Sequence, residues 1–348
     1  MRLQIPFSVV DFSILRLGET PREALQQTVD LARHVEALGF KRFWLTEHHG
    51  VLSSASAATS VVIGHVAGKT SVIRVGSGGV MLPNHPPLVI AEQFGTLASL
   101  YPDRIDLGLG RAAGGHDGVL QALRVGPDAR DRFPSDVREL QFFFREPTPD
   151  QKVHAVPGAG MSVPIWLLGS STFSAEQAGA LGLPFAFATH IGPDAVGAAI
   201  EIYRSSFKAS EVLARPYVMI TVLVIAAETD EAARHLFTSI QQIVLTMLRG
   251  DMAGPLPPPV HDLGAIAIPQ ELAGAEWALR YAIVGSQKTV RQGIEALIAE
   301  TAADELSVLT MIYDLDARRR SFEIVAEARD DGVVLARTKS GHDANRAH

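Results

Sequence analysis

The alternation of short β-branched runs with amphipathic helical stretches, kept up almost from end to end, limits most what this chain can fold into. Strand-like runs stand near residues 2–9, 42–46, 72–81, 104–109, 163–168, 184–189, 217–226 and 306–312. Helical pattern lies between successive runs and again after the last. Ile165 to Leu168 and Val218 to Ile225 are apolar on both faces, as parallel strands covered by helices are. Thr20-Pro21-Arg22-Glu23 offers a capping box with proline at the first helical position, and Gly39 follows the last turn. Between them Leu25, Val29, Ala32 and Val35 trace one helical face. Ala233, Leu236, Phe237, Ile240, Val244 and Met247 do the same within 229–249, which stops at Gly250.

Eight βα units in a chain of 348 residues predict an α/β fold, a (β/α)8 TIM barrel over residues 1–330 as one domain. A doubly wound open sheet would more often show a glycine-rich fingerprint after its first strand, and Asp11-Phe12-Ser13-Ile14 is not one. Two connections exceed what a barrel needs. Residues 110–134 follow the fourth strand, and 250–276, with Pro255, Pro257, Pro258 and Pro259, lie within the seventh unit. Loops of that length in compact domains are usually lids, binding loops or disordered segments. The polar tail 331–348 is expected to fray.

Composition narrows the function. Hydrophobic residues make up 47% and charged residues 20%, which describes a soluble protein with an ample core. No apolar run is long enough for a transmembrane helix, and Met1 to Asp11 lacks the layout of a signal peptide. The absence of cysteine excludes disulfides, thiol nucleophiles and cysteine-ligated metals, and it suits the cytoplasm. With 38 acidic against 31 basic residues and no basic stripe, neither nucleic acid nor a membrane is an expected partner.

In a parallel barrel, active sites are built at the carboxyl ends of the strands. Five successive strands deliver small or functional residues there. The second ends in Glu47-His48-His49, and an imidazole at that place can act as acid or base near neutrality without a large pKa shift. Adjacent side chains diverge, so one histidine at most faces a central pocket. His48 is the candidate and His49 is assigned to structure. The doublet Gly78-Gly79 within the third strand reads as a bulge at a barrel corner or as backbone that a flat ligand approaches closely. Arg111, beside flexible glycines after the fourth strand, reads as a phosphate clamp or a surface ion pair. Ser170 and Ser171 open the helix after the fifth strand. They read as ordinary N-cap residues or, with the free amides of that helix, as a phosphate site. Barrel order makes Arg111 and Ser171 neighbours. His190, after the sixth strand, reads first as a solvated loop histidine and otherwise as a residue facing the pocket.

Four motifs in this order and spacing carry a family resemblance: Phe43-Trp44-Leu45-Thr46-Glu47-His48-His49; Val75-Gly76-Ser77-Gly78-Gly79-Val80-Met81-Leu82-Pro83; Arg104-Ile105-Asp106-Leu107-Gly108-Leu109-Gly110-Arg111; and Trp166-Leu167-Leu168-Gly169-Ser170-Ser171. Over about residues 1–328 the chain resembles the bacterial luciferase-like flavin-dependent monooxygenases. The resemblance implies a barrel that binds FMN, usually reduced by a separate flavin reductase, and that uses O2 to oxygenate a small organic substrate. It implies catalytic acid/base work for His48 and cofactor binding for Glu47, Gly78, Gly79, Arg111, Ser170, Ser171 and Ser174. Glu47 would lie near the flavin ring, and Gly78-Gly79 would form the bulge beneath it, often with a non-proline cis peptide. Arg111, Ser171 and Ser174 would hold the phosphate, and 250–276 would fall where the lid lies. Relatives pair through the helices after the second and third strands, so a homodimer is expected.

Three departures stand out. Light-emitting members have a reactive cysteine where this chain has Gly110, an acidic residue at Ser170, and an aromatic residue at Thr189. These changes argue against light emission and reshape the substrate side. Three rivals remain: a deazaflavin (F420)-dependent oxidoreductase, a non-catalytic flavin-binding protein, and a metal-dependent barrel hydrolase drawing on Glu47, His48, His85, His116 and His190. The first strand lacks the His-x-His pair common in such hydrolases, and no metal is expected.

Overall fold

A computed structural model describes residue 3, residues 5–112 and residues 117–330. The tail 331–348 and His116 lie outside the described residues. The strands are β1 (Phe7–Asp11), β2 (Arg42–Leu45), β3 (Arg74–Ser77), β4 (Val80–Met81), β5 (Ile105–Gly110), β6 (Ile165–Gly169), β7 (Phe185–Ala188), β8 (Val218–Ala226), β9 (Ile283–Gly285) and β10 (Glu305–Leu309). The helices are α1 (Pro21–Ala37), α2 (Thr59–Ala67), α3 (Pro87–Leu100), α4 (Asp117–Ala122), α5 (Phe133–Phe144), α6 (Thr172–Leu181), α7 (Val196–Ser206), α8 (Asp230–Leu248), α9 (Pro269–Ala278), α10 (Gln287–Thr301) and α11 (Leu315–Asp330).

Strand pairing closes the barrel: β1, β2, β3, β5, β6, β7, β8 and β10 follow one another in parallel, and β10 pairs with both β8 and β1. All eight predicted runs supply a barrel strand. The first starts at Phe7 rather than near residue 2, because Pro6 has no N–H to give to a ladder. The third is interrupted at Gly78-Gly79 and resumes as β4, which pairs with the end of β5.

Alternation along each strand sorts the side chains into two cores. Val9, Phe43, Leu45, Ile165, Leu167, Phe185 and Phe187 pack outward under the helices, as do Val29, Ala32 and Val35 of α1. Val10, Trp44, Trp166, Ala186 and Met219 form the second cluster, with Trp44 edge-on to Trp166 at 5.1 Å between centroids. The predicted capping box forms: Thr20 Oγ1 accepts from Glu23 N, and Thr20 N donates to Glu23 Oε2.

Near the amino-terminal end of the barrel an ionic network replaces apolar packing. Arg42 at the start of β2 donates to Asp106 Oδ2 at 2.6 Å and to Glu305 Oε1 at 3.0 Å. Trp44 Nε1 and Arg74 complete Asp106, while Tyr217, Lys41 and Ser8 complete Glu305. Both carboxylates are fully buried. Their desolvation is offset only because nearly every oxygen lone pair has a donor.

Three features differ from expectation. β9 was not predicted; it pairs with the last residues of β8, Val224 to Ala226, outside the barrel circuit. Residues 250–276 are not wholly irregular: a short 3-10 turn at Leu263–Ala265 precedes α9, whose N-terminus carries Pro269. Met247, expected on the buried face of α8, is 60% exposed, since the helix runs past the barrel there.

Candidate active site

A cavity of about 370 Å³ opens at the carboxyl ends of the strands and is lined by all eight candidate residues: Glu47, His48, Gly78, Gly79, Arg111, Ser170, Ser171 and Ser174. Val10, Trp44, Met81, Leu168, Ala186 and Thr221 make most of its wall.

The floor is glycine for steric reasons. The Gly78–Gly79 peptide is cis. A Cβ on Gly78 would sit 3.1 Å from both Trp44 Cβ and Val10 Cγ2, and one on Gly79 would lie 2.8 Å from the Gly108 carbonyl oxygen. No side chain fits on the barrel side of this doublet, so the backbone itself becomes the surface a ligand meets.

At one end the cavity is built for an anion. The Arg111 guanidinium lies 4.0 Å over the ring of Phe173, which fixes it beside the start of α6. Among the described residues no carboxylate pairs with Arg111, so its charge is available. Ser171 is the N-cap of α6, yet its hydroxyl makes no capping bond, so the first amides of the helix stay open. Ser174, nearly buried, reaches the same end. Arg130, on the connection to α5, also lines the cavity; nothing in its sequence context marked it.

At the other end stands His48. Its Nδ1 is 3.0 Å from Thr46 Oγ1 and its ring stacks on Phe12 at 5.0 Å. Burial pushes its pKa down to about 4, with Glu47 opposing and His49 adding to the fall. This corrects the expectation of a histidine titrating near neutrality: enclosure by Phe12 and the barrel wall keeps the imidazole uncharged at pH 7. It can accept a proton there but stores none.

Glu47 is 3% exposed and its carboxylate is engaged within the protein. Oε1 accepts from His49 Nε2 and from His85 Nε2, each at 2.8 Å, and Oε2 accepts from Met81 N at 3.2 Å. Burial works against its ionised form, but His85 and then His49 outweigh it and the pKa is lowered. These three side chains are spaced closely enough to hold a metal ion. The same atoms are already paired as donors and acceptor, so no orphaned group calls for one. His49 thus pairs with Glu47, and His85, named from the sequence only as a nominal metal ligand, is a second partner.

Of the two readings of His190, the structure bears out the one that faces the pocket. It is not a solvated loop residue: it lines the cavity, meets the Phe12 ring edge-on at 6.1 Å, and is enclosed enough that burial, then His48, pushes its pKa to about 4.

A closed parallel barrel with a polar-ended cavity at its carboxyl rim is an enzyme architecture. Residues 5–305 match the family model described as luciferase-like monooxygenase, and the chain belongs to that family. A luciferase-like monooxygenase of Escherichia coli (strain K12) is 47% identical over 329 residues, covering 94% of this chain and 98% of the relative. Among solved structures, apo-MsnO8 aligns with a TM-score of 0.82 at 35% identity, over 93% of this chain and 97% of that one. The oxygenating constituent of 3,6-diketocamphane monooxygenase from Pseudomonas putida, a type II Baeyer-Villiger monooxygenase in complex with FMN, shares the fold. It aligns with a TM-score of 0.72 at 19% identity, over 97% of this chain and all of the other.

Proposed function

We propose that this protein is an FMN-dependent monooxygenase that receives reduced FMN from a separate reductase and uses O2 to oxygenate a small organic substrate. The observation that carries the reading is the pairing of two unlike ends in one cavity. Arg111, Ser171, Ser174 and the open amides of α6 form a cradle for a phosphate. The Gly78-Gly79 floor and the walls from Trp44 and Leu168 give an apolar slot for a planar ring. Those residues fit FMN in charge and in shape.

Bound reduced FMN would supply the electrons with which O2 is activated. The protein's own part is separate. Arg111 and the α6 start orient the cofactor, and Trp44, Phe12 and Leu168 keep water from the reacting end. His48, held at Nδ1 by Thr46, is the uncharged base at the edge of the slot and takes a proton at its remaining nitrogen. The protein pairs as a homodimer through α2 and α3, where Val61 and Val89 stand exposed; sedimentation at micromolar concentration showing only monomer would remove this part.

The test is anaerobic titration with reduced FMN, then O2. Saturable binding that Arg111→Ala weakens about 10- to 100-fold supports the reading, the range expected for one charge-assisted contact. Oxygen uptake coupled to substrate oxygenation, lost in His48→Ala, completes it. Turnover confined to a deazaflavin would overturn it.

A further inference from the structure

Within the cavity, one polar atom is left over by the flavin reading. His190 Nδ1 is buried and has no hydrogen-bond partner among the described residues. An enclosed polar nitrogen without a partner is costly, so it persists where something that binds completes it. Its position says what that is. Phe12 lies between the two imidazoles of the site, stacked on His48 at 23° between planes and edge-on to His190 at 72°. His190 thus faces the space next to the proposed base, and Phe12, Leu168, Ala188 and Ile191 line the cavity with it.

We infer that His190 is the substrate-recognition residue: its imidazole hydrogen-bonds the polar head of an uncharged organic molecule whose apolar body lies against Phe12, Leu168 and Ile191. Burial keeps His190 neutral at pH 7, so it offers a dipole and no charge. A salt-bridging head group would find no counter-ion there, whereas a carbonyl, amide or hydroxyl finds a partner in the ring. A pure hydrocarbon would leave the nitrogen orphaned and forfeit that contact. The proposal rests on the monooxygenase reading for what becomes of the molecule, but not for its binding.

The probe is butanamide, which can serve either imidazole tautomer, against its hydrocarbon isostere 2-methylpent-1-ene. Imidazole nitrogen resonances of histidine-labelled protein are followed during both titrations, with and without FMN, and His190 is assigned by its loss in His190→Phe. Butanamide should move the His190 resonances saturably and the alkene should not. In His190→Phe, which keeps the edge contact with Phe12, butanamide binding read at His48 should weaken about fivefold or more. His190→Gln should recover most of it. Equal binding of the two probes, unmoved His190 resonances, or unchanged butanamide affinity in His190→Phe would each overturn the proposal. Failure of FMN to bind while the butanamide result stands would remove the monooxygenase reading alone.

Discussion

Replacing Glu47 by glutamine removes a charge while keeping the shape, and the structure says what that costs. The carboxylate accepts three donors, two imidazole N–H groups on Oε1 and the Met81 amide on Oε2. Glutamine has one acceptor oxygen and one NH2. With the oxygen toward the imidazoles, the NH2 faces the Met81 N–H; with the reverse orientation, it faces two imidazole donors. A tautomer change at one ring rescues one contact only. Losing charge assistance and leaving one donor against another inside a buried site should destabilise by about 2–4 kcal/mol. Equilibrium urea unfolding at pH 7, followed by tryptophan fluorescence, measures it. A cycle with His85→Ala should show a coupling of about 1 kcal/mol or more, since the two residues touch. The pH dependence has a definite sign. The folded pKa of Glu47 is lowered, so its contribution is present above the unfolded carboxylate value of about 4.3 and fades as pH falls through the folded one. The gap between parent and Glu47→Gln should therefore narrow in acid. A variant within about 0.5 kcal/mol of the parent at pH 7, the usual range for inert surface changes, would refute the reasoning.

Further expectations follow from the same geometry. Gly79→Ala sets a methyl 2.8 Å from the Gly108 carbonyl in a packed strand, so it should cost about 1–3 kcal/mol and weaken FMN binding, read by melting and flavin fluorescence. His48 and His190 both have folded pKa values near 4, below the unfolded value of 6.5. Their contribution is whole above pH 6.5 and is lost as pH falls toward 4, by at most about 2 kcal/mol each between pH 7 and 5. His48→Phe combined with His190→Phe should flatten the acid limb of the stability profile; an unchanged limb would show that other groups drive it. Arg42→Leu leaves Asp106 and Glu305 short of their central cation and should cost about 3–5 kcal/mol, seen as a large loss in melting temperature or soluble yield.

The barrel was legible because its strands repeat one signal, β-branched and apolar on both faces between capped helices. β9 escaped because Ile283, Val284 and Gly285 are too few to show a period, and they closely follow a helix whose apolar residues continue to Ala282. The cavity-lining residues were legible as a set of motifs, since glycines, a carboxylate and imidazoles at strand ends are locally conspicuous. Their partners were not. His85 reaches Glu47 across 38 positions, and Arg130 enters the cavity from a stretch with no pattern of its own. The two readings of His190 could not be separated from sequence because enclosure of a loop imidazole is decided by Phe12, far away in sequence after β1.

The insertion between α8 and β9 is fastened along its length. Leu256 exchanges backbone hydrogen bonds with Leu15 and Leu17 in the loop after β1, Val260 N donates to Thr238 Oγ1 of α8, Arg249 pairs with Glu271 of α9, and β9 docks on the end of β8. In polymer terms, a long excursion has been cut into several shorter loops, each with a smaller closing entropy. Hydrogen exchange across the insertion should accordingly show slow amides at Leu256, Val260 and β9 and faster ones in the short spans between these fastenings.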